Sequence, residues 1–462
     1  MKGWLRVKFN ISIPPDANDL IHTLQNYGHS AYVVGGCVRD SILGRIPHDW
    51  DICTSATPTE MLEIFKDKKV IETGLQHGTI TVVVNGNPYE ITTYRIDGAY
   101  SDNRRPDSVT FTDRLIEDLS RRDFTINAMA YNDEEGLIDP YNGLEDIKYK
   151  KINCVGFAKD RFEEDALRIL RANRFASQLD FAMMPDTDWE IHRQYKKLNN
   201  ISIERINSEF CKIALSSEFY IQIGLFREVF SLFIPEIKDM FGFQQNNPYH
   251  IYDVWNHTVH AVQAYECDCE PDLNPRDLIT SLAVFFHDIG KPHCYQDGED
   301  GIRHFKGHGR VSADMTDTIM KRLRFDNDTR EKVVQLVYYH DATFEVGEKY
   351  IKRWLNKIGE EQFRRLLNVR VADIKAQAYT EQESRLQKID NIEYILEEVL
   401  QKDECFSLKD LAVNGNDLIE IGYKPGKEIG EVLNNLLDLV ISGEYKNEKE
   451  KLLEMAERRL HG

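Results

Sequence analysis

No stretch of this 462-residue chain is apolar for long enough to cross a bilayer, and its amino terminus lacks the apolar core of a secretory signal. These two absences argue against a helical membrane protein and lead to the expectation of a cytoplasmic one. Cysteine is sparse. The eight residues are scattered, Cys267 and Cys269 are too close for a CxxC knuckle, and no second pair exists. Reduced structural thiols are therefore expected rather than a cysteine metal site. Positive charge is also short: 58 Lys and Arg stand against 77 Asp and Glu, a net charge of −19. That excess argues against indiscriminate nucleic-acid binding but leaves room for local basic clusters facing phosphates. There is no internal repeat and no low-complexity tract. A composition of 42% hydrophobic and 29% charged residues is ordinary for a globular protein, and the length calls for two to four domains.

The most informative stretch is Gly35-Gly36-Cys37-Val38-Arg39-Asp40 followed by Asp49-Trp50-Asp51. Ala31–Val34 reads as a strand and Ser41–Gly44 as a short helix, so Gly35 and Gly36 form a turn whose backbone N–H groups can face an anion. A Cβ at such a turn would collide with a phosphate. Asp49 and Asp51 are two apart on an expected strand, Asp49–Cys53, which puts both carboxylates on one face. Hard oxygen ligands so placed suit Mg²⁺ held together with substrate phosphates. Thr79–Val84, an Asn85-Gly86-Asn87 turn and Tyr89–Tyr94 read as a hairpin, with no further hairpin evident. Glu90 on its second strand is either a third carboxylate near the metal or a partner of Arg95 or Arg39. From about Arg161 the apolar spacing becomes helical.

The combination of the glycine turn, the Asp pair and Arg121-Arg122-Asp123-Phe124-Thr125-Ile126-Asn127-Ala128 resembles the nucleotidyltransferase signature of class II tRNA nucleotidyltransferases (CCA-adding enzymes) and bacterial poly(A) polymerases. The resemblance implies that Arg39 and Arg122 contact the incoming nucleotide, Asp123 its ribose, and that Asn127 supports the phosphate site. The loop Asp97–Pro106, with Arg104 and Arg105, resembles the family's flexible loop, which favours an enzyme able to add the terminal A. In Arg161–Ala176, read as one helix, Asp165 and Arg168 match the family's EDxxR motif. An Asp that accepts and an Arg that donates in a rigid fork, three residues apart on one face, present an edge like that of a base. They would pair with C or A and leave G and U unmatched. Arg171 and Arg174 drift about 60° per three-residue step, so Arg171 is expected to reach phosphate or tRNA and Arg174 to brace the helix against the head. The charges of Glu204–Phe210 are expected to organise the neck.

A second site is expected in the body. His287-Asp288 closes the apolar run Ala283–Phe286, and His257, His308, His340 and Asp373 follow a spacing that resembles HD proteins holding two metals, with Asp341 competing for the last place. Imidazole and carboxylate suit a divalent ion, its identity open. The resemblance implies a phosphohydrolase module. Residues Leu411–Gly430 resemble the tRNA-gripping tail of class II enzymes; a plain packing turn at Pro425-Gly426 is the competing reading.

The expected fold is α+β: a nucleotidyltransferase head with a mixed sheet (residues 1–150), then an elongated all-α remainder comprising a base-recognising neck (151–245), an HD-bearing body (246–378) and a tail (379–462). The implied activity is addition of C, C and A to the 3′ end of tRNA from CTP and ATP, with Mg²⁺ at the head. Alternatives are an A-adding enzyme or poly(A) polymerase, an HD phosphohydrolase with an RNA-binding head, and a noncatalytic tRNA-binding protein.

Overall fold

The computed structural model describes residues 10–98, 108–270, 274–402 and 406–461. The arginine-bearing part of the predicted loop, from residue 99 to Pro106, lies outside them. The fold is α+β, and its contacts divide it into two compact units, Met1–Phe233 and Ile234–Gly462. No helix among the described residues is long and apolar enough to cross a membrane.

The first unit is built on a mixed seven-stranded sheet. Its strands are β1 (Ala31–Val34), β2 (Ile52–Thr54), β3 (Lys69–Ile71), β4 (Thr79–Val84), β5 (Asn87–Thr93) and, after a separate antiparallel pair β6 (Arg95–Asp97) and β7 (Val109–Phe111), β8 (Ala130–Asn132) and β9 (Gly136–Ile138). They lie in the order β3-β4-β5-β2-β1-β8-β9. All four residues of β1 are buried, as a central strand covered on both faces requires. Helix α1 (Pro15–Asn26) covers the sheet with Ala17, Leu20, Ile21 and Leu24, one stripe at helical spacing. The predicted β4–β5 hairpin is present. The expectation of no other hairpin was wrong: β8–β9 and β6–β7 pair antiparallel, as does Gln296–Asp297 with Arg303–His304 in the second unit. These strands are two or three residues long, too short to show alternation in a sequence.

Helix α2 (Gly36–Ile42) leaves β1 through Gly35, whose φ of +84° belongs to the left-handed region. Helices α3 (Pro58–Ile64), α4 (Leu115–Ser120) and α5 (Gly143–Lys148) complete the head. The chain then turns helical with α6 (Ala158–Glu164), α7 (Leu167–Leu179), α8 (Pro185–Gln194) and α9 (Ile203–Ala214), interrupted by a short parallel pairing of Lys151–Ile152 with Ala182–Met183. Arg161–Ala176 is not the single helix expected. Asp165 adopts an extended backbone, φ −135° and ψ 105°, between α6 and α7. Its carboxylate accepts the Leu167 amide at 3.0 Å, a local bond that competes with helix continuation.

Among the described residues of the second unit, the regular elements are helices apart from that hairpin. Helices Val254–Asp268 and Leu278–Phe286 start at Asp253 and Asp277, whose carboxylates accept the Asn256 and Thr280 amides. The remaining helices include His308–Arg322, Asn327–Tyr339 and Glu360–Lys375, and the chain ends in a cluster around Leu418, Leu436, Leu437 and Leu452. Within that cluster Gly415–Glu420 ends before Gly422–Gly426 and Lys427–Ile441 begins after it.

Candidate active site

The parallel register of β2 with β5 sets Ile52 beside Ile91. One residue back on each chain are Asp51 and Glu90, so Glu90 stands next to the Asp pair. Asp49 and Asp51 themselves precede β2 rather than lie on it. The segment is nonetheless extended along β1, with the Val34 amide donating to the Asp51 carbonyl at 3.0 Å. Although Asp51 is exposed to solvent at the surface, desolvation by the surrounding protein, with Glu90 and Asp49 adding like charge, raises its carboxyl above its ordinary value, while Arg122 pulls the other way. Crowded carboxylates that resist ionising together are a donor set that a hard divalent cation relieves, and their chemistry fits Mg²⁺.

At Gly35 the φ of +84° would strain any other residue, and a Cβ would press to 3.0 Å from Arg122 Nη1. Gly36 opens α2, and a Cβ there would make only ordinary contact with Arg39 Nη2, at 3.8 Å. Arg39 grips Asp40 with two nitrogens, each at 2.9 Å, and donates Nη1 to Asn127 Oδ1 at 2.7 Å. The Asn127 amide passes the connection to Asp123 Oδ1 at 3.2 Å. The other Asp123 oxygen accepts from Arg171 Nε and Nη2 at 2.8 and 2.5 Å. Asp123, expected at a ribose, is thus engaged at both oxygens, and Arg171, expected to reach phosphate or tRNA, pairs with Asp123 of the head. Arg174 pairs with Glu209 of α9 at 3.1 Å and so braces the neck, not the head. Phe175 lies beneath the guanidinium groups of Arg39, Arg171 and Arg174 at 5.0, 5.3 and 4.3 Å.

Burial would raise the Asp123 carboxyl, but Arg171 and Arg168 outweigh it and hold the group well below the usual range. A depressed carboxylate stabilises the fold above its unfolded value and loses that contribution as pH falls toward its folded value. Asp123→Asn is expected to cost about 3 kcal/mol at neutral pH, since Arg171 loses its buried partner. Denaturant titration should also show a flatter loss of stability on acidification below about pH 4 than in the parent chain.

Asp165 and Arg168 do not share a helix face. Arg205 of α9 holds Asp165 Oδ2 at 2.8 Å. Arg168 donates to Glu164 at 2.5 Å and to the carbonyls of Arg161 and Arg121 at 3.2 and 2.8 Å. Arg168 thus reaches the head through the Arg121 carbonyl while Asp165 is tied to α9, so the two are held separately.

In the second unit the six predicted residues converge. Asp288 Oδ2 lies 3.3 and 3.1 Å from Nε2 of His257 and His287; its Oδ1 lies 3.3 and 3.6 Å from Nε2 of His308 and His340. Asp373 Oδ1 is 3.2 Å from His257. Asp341, the competing candidate, is exposed at the rim, 3.8 Å from His308 Nδ1. Each of the four imidazoles turns Nδ1 toward a backbone carbonyl, of Ala376, Val284, Phe305 and Val337 respectively. That contact fixes a tautomer whose Nε2 lone pair faces the centre, the arrangement of a metal ligand. Both Asp288 oxygens are buried without a well-formed hydrogen bond, although Lys291 Nζ is 2.6 Å from Oδ2. Two groups, His257-His287-Asp288 and Asp288-His308-His340, each have the compactness of an ion site. The donors fit divalent metal. A cavity of about 240 Å³ opens over them, lined also by His250, Lys291 and Lys306. Burial, helped by Lys291, pushes the His250 imidazole down to about 2, so it is neutral.

The poly A polymerase head domain model matches residues 31–153, and that for tRNA nucleotidyltransferase domain 2 matches residues 309–456. The CCA-adding enzyme of Lactobacillus delbrueckii subsp. bulgaricus is 34% identical over 440 residues, 95% of this chain and 96% of that protein. This chain belongs to the CCA-adding enzyme family. The CCA-adding enzyme of Lactobacillus johnsonii is 47% identical over 216 residues, 46% of this chain and 54% of its own. The crystal structure of the Bacillus stearothermophilus CCA-adding enzyme in complex with CTP superposes with a TM-score of 0.68 at 29% identity, covering 97% of this chain and all of that one.

Against this CCA-adding framework, Phe175 and Asp118 escaped the sequence reading, and Arg205 does more than was expected of it. Phe175 is four residues after Arg171, and that spacing was the available signal. Arg205 and Glu209 were expected to organise the neck, yet Arg205 holds Asp165 itself. Asp118, four residues before Arg122, carried the same signal and pairs with it at 3.4 Å.

Proposed function

We propose that this chain completes tRNA by adding C, C and A to its 3′ end from CTP and ATP, releasing pyrophosphate at each step. The near full-length match to CCA-adding enzymes carries the reading, and the convergence of Asp49, Asp51 and Glu90 opposite the Gly35-Gly36 turn supports it. The tRNA 3′-hydroxyl attacks the α-phosphate of the nucleotide. Asp49, Asp51 and Glu90 would hold Mg²⁺, which when bound activates the attacking oxygen and offsets charge on the leaving pyrophosphate. Gly35 and Gly36 let the triphosphate approach the backbone. Arg122, whose Nε is buried without an acceptor, has donors to spare for phosphate oxygens. Arg39, Asn127 and Asp123 form the wall beside it, and a ribose hydroxyl reaching Asp123 must compete with Arg171. Asp165 and Arg168 select the base once they exchange Arg205 and Glu164 for its edge. The tail supplies further contact to tRNA, and the reaction runs in the cytoplasm. The test is a tRNA lacking CCA incubated with labelled CTP alone. Incorporation is expected; an A-adding enzyme or poly(A) polymerase would give none.

The converging histidines favour a second activity on the same chain. His257, His287, Asp288 and Asp373 would hold one divalent ion and Asp288, His308 and His340 another, a pair that when bound supplies an activated water and polarises a phosphate ester. Asp288→Ala is expected to remove about two equivalents of bound metal by elemental analysis while leaving CMP incorporation intact. Hydrolysis of a 2′,3′-cyclic nucleotide should persist in Asp49→Ala and vanish in Asp288→Ala. Unchanged metal content in Asp288→Ala would refute the ligand assignment.

A further inference from the structure

The turn that follows helix Glu360–Lys375 places two polar contacts on one half of the histidine and aspartate centre. The Ala376 carbonyl faces His257 Nδ1 at 3.3 Å. One residue on, Gln377 is 8% exposed and donates Nε2 to Asp373 Oδ1 at 2.7 Å. That is the oxygen 3.2 Å from His257 Nε2. Arg370 does not serve this carboxylate in the same way: its Nη1 stands 3.6 Å from Asp373 Oδ2, beyond hydrogen-bond distance, and is donated to the His340 carbonyl at 2.8 Å. The other end of the Gln377 amide is engaged as well. Its Oε1 accepts from Arg385 Nη1 on helix Gln382–Gln401. Gln382 Nε2 ties the start of that helix back to the Ile374 and Lys375 carbonyls, at 3.0 and 3.1 Å. One donor and one acceptor thus settle which way the Gln377 amide points. A carboxylate oxygen has two lone pairs, so an amide on one leaves the other for an ion and stops the carboxylate turning away from it.

We propose that Gln377 is a positioning residue: with Arg385 behind it, its amide aims the Asp373 carboxylate at the place formed by His257, His287, Asp288 and Asp373, and at that place alone. The neighbouring place, Asp288-His308-His340, takes no contact from it. Arg385 and Gln377 therefore tie one of the two metal places to a helix beyond residue 378, where the HD-bearing body was expected to end. The inference rests on the proposed second metal centre. That centre fails if metal persists in Asp288→Ala, whereas this proposal fails on Gln377, so the two failures are separate results.

The probe is Co²⁺, which imidazole and carboxylate donors suit and whose visible absorption reports its ligands. It is titrated into the full chain carrying Asp49→Ala, so that the head carboxylates do not compete. Gln377→Leu keeps the side chain's bulk and removes its hydrogen-bonding groups. It is expected to weaken one Co²⁺ equivalent about tenfold and to shift its absorption band, while the other changes by less than about twofold. Breaking one place at a time assigns the effect. With His308→Ala added, the equivalent that remains should show the tenfold loss; with His257→Ala added instead, it should show none. Arg385→Leu should weaken the same equivalent about threefold, and the double variant should be no weaker than Gln377→Leu alone, because the arginine acts through the glutamine. A role in packing only would weaken both equivalents together. Unchanged Co²⁺ affinity in Gln377→Leu, or equal weakening of both equivalents, overturns the proposal. Should Gln377→Leu fail to fold, Arg385→Leu decides the matter, since Arg385 is half-buried at the outer end of the pair; unchanged affinity there, or equal weakening of both equivalents, overturns it.

Discussion

Asp49→Ala will abolish CMP and AMP incorporation while the chain folds normally. Three carboxylates meet at one end of the β2–β5 pair because a parallel register carries Glu90 to Asp51 and an extended segment carries Asp49 two residues before it. Removing one ligand from such a group costs the metal-dependent charge stabilisation, several kcal/mol, and at a factor of ten per 1.4 kcal/mol the rate should fall at least about 10³-fold. The fold should not suffer. Asp49 is exposed, and its like charge is one of the influences that raise the Asp51 carboxyl. Its loss relieves repulsion, so in the absence of divalent ions the variant should be as stable as the parent or slightly more so, within about 0.5 kcal/mol. Thermal unfolding in a chelator, run beside a single-turnover assay, checks both halves. A normal rate would remove the Asp pair from the mechanism, and a collapsed fold would make it structural.

Arg168→Ala will loosen the choice of base. A site that rejects a nucleotide by leaving polar groups unpaired discriminates strongly, and loss of a bidentate donor forfeits about 1–3 kcal/mol of that difference. Misincorporation from UTP relative to CTP should therefore rise by about ten- to a hundredfold. Arg168 also binds the Arg121 carbonyl and Glu164, so some stability will be lost with it. Arg168→Lys separates the two contributions. Lysine keeps the charge near Glu164 but not the planar fork, so it should recover much of the stability and little of the selectivity. Unchanged discrimination against UTP in both variants would refute the selecting role.

The legible parts of the sequence were those where chemistry and spacing coincide. The Gly35-Gly36 turn and the β4–β5 hairpin followed from glycine conformation and a turn signal; Glu90 beside Asp51 was one of two readings left open, and Asp49 and Asp51 lie before β2 rather than on it. The six-residue histidine and aspartate constellation followed from the His287-Asp288 pair and a spacing that resembles HD proteins, with Asp341 left as the competitor of Asp373. What failed was continuity. Asp165 sits in an uninterrupted helical pattern, yet its short carboxylate takes the Leu167 amide and breaks the helix, so the expected shared face with Arg168 does not exist. Arg171 was expected to reach phosphate or tRNA and Arg174 to brace the helix against the head, because nothing local showed Asp123 and Glu209 waiting for them; those partners lie 48 and 35 residues away, with Arg171 reaching Asp123 at 2.5 Å and Arg174 reaching Glu209 at 3.1 Å. Ion pairs of that separation are set by the fold, and a periodic pattern has no record of them. The short strands β6 to β9 were missed for a related reason: their pairing is tertiary.

The account's central claim is that one site adds two nucleotides in order without a template. Sequencing the products formed on a tRNA lacking its 3′ end, with CTP and ATP supplied singly and together, tests it most directly. The account predicts CC and no further growth with CTP alone, and CCA with growth ended when both are present. Runs of A with ATP alone, or no extension with CTP, would contradict it.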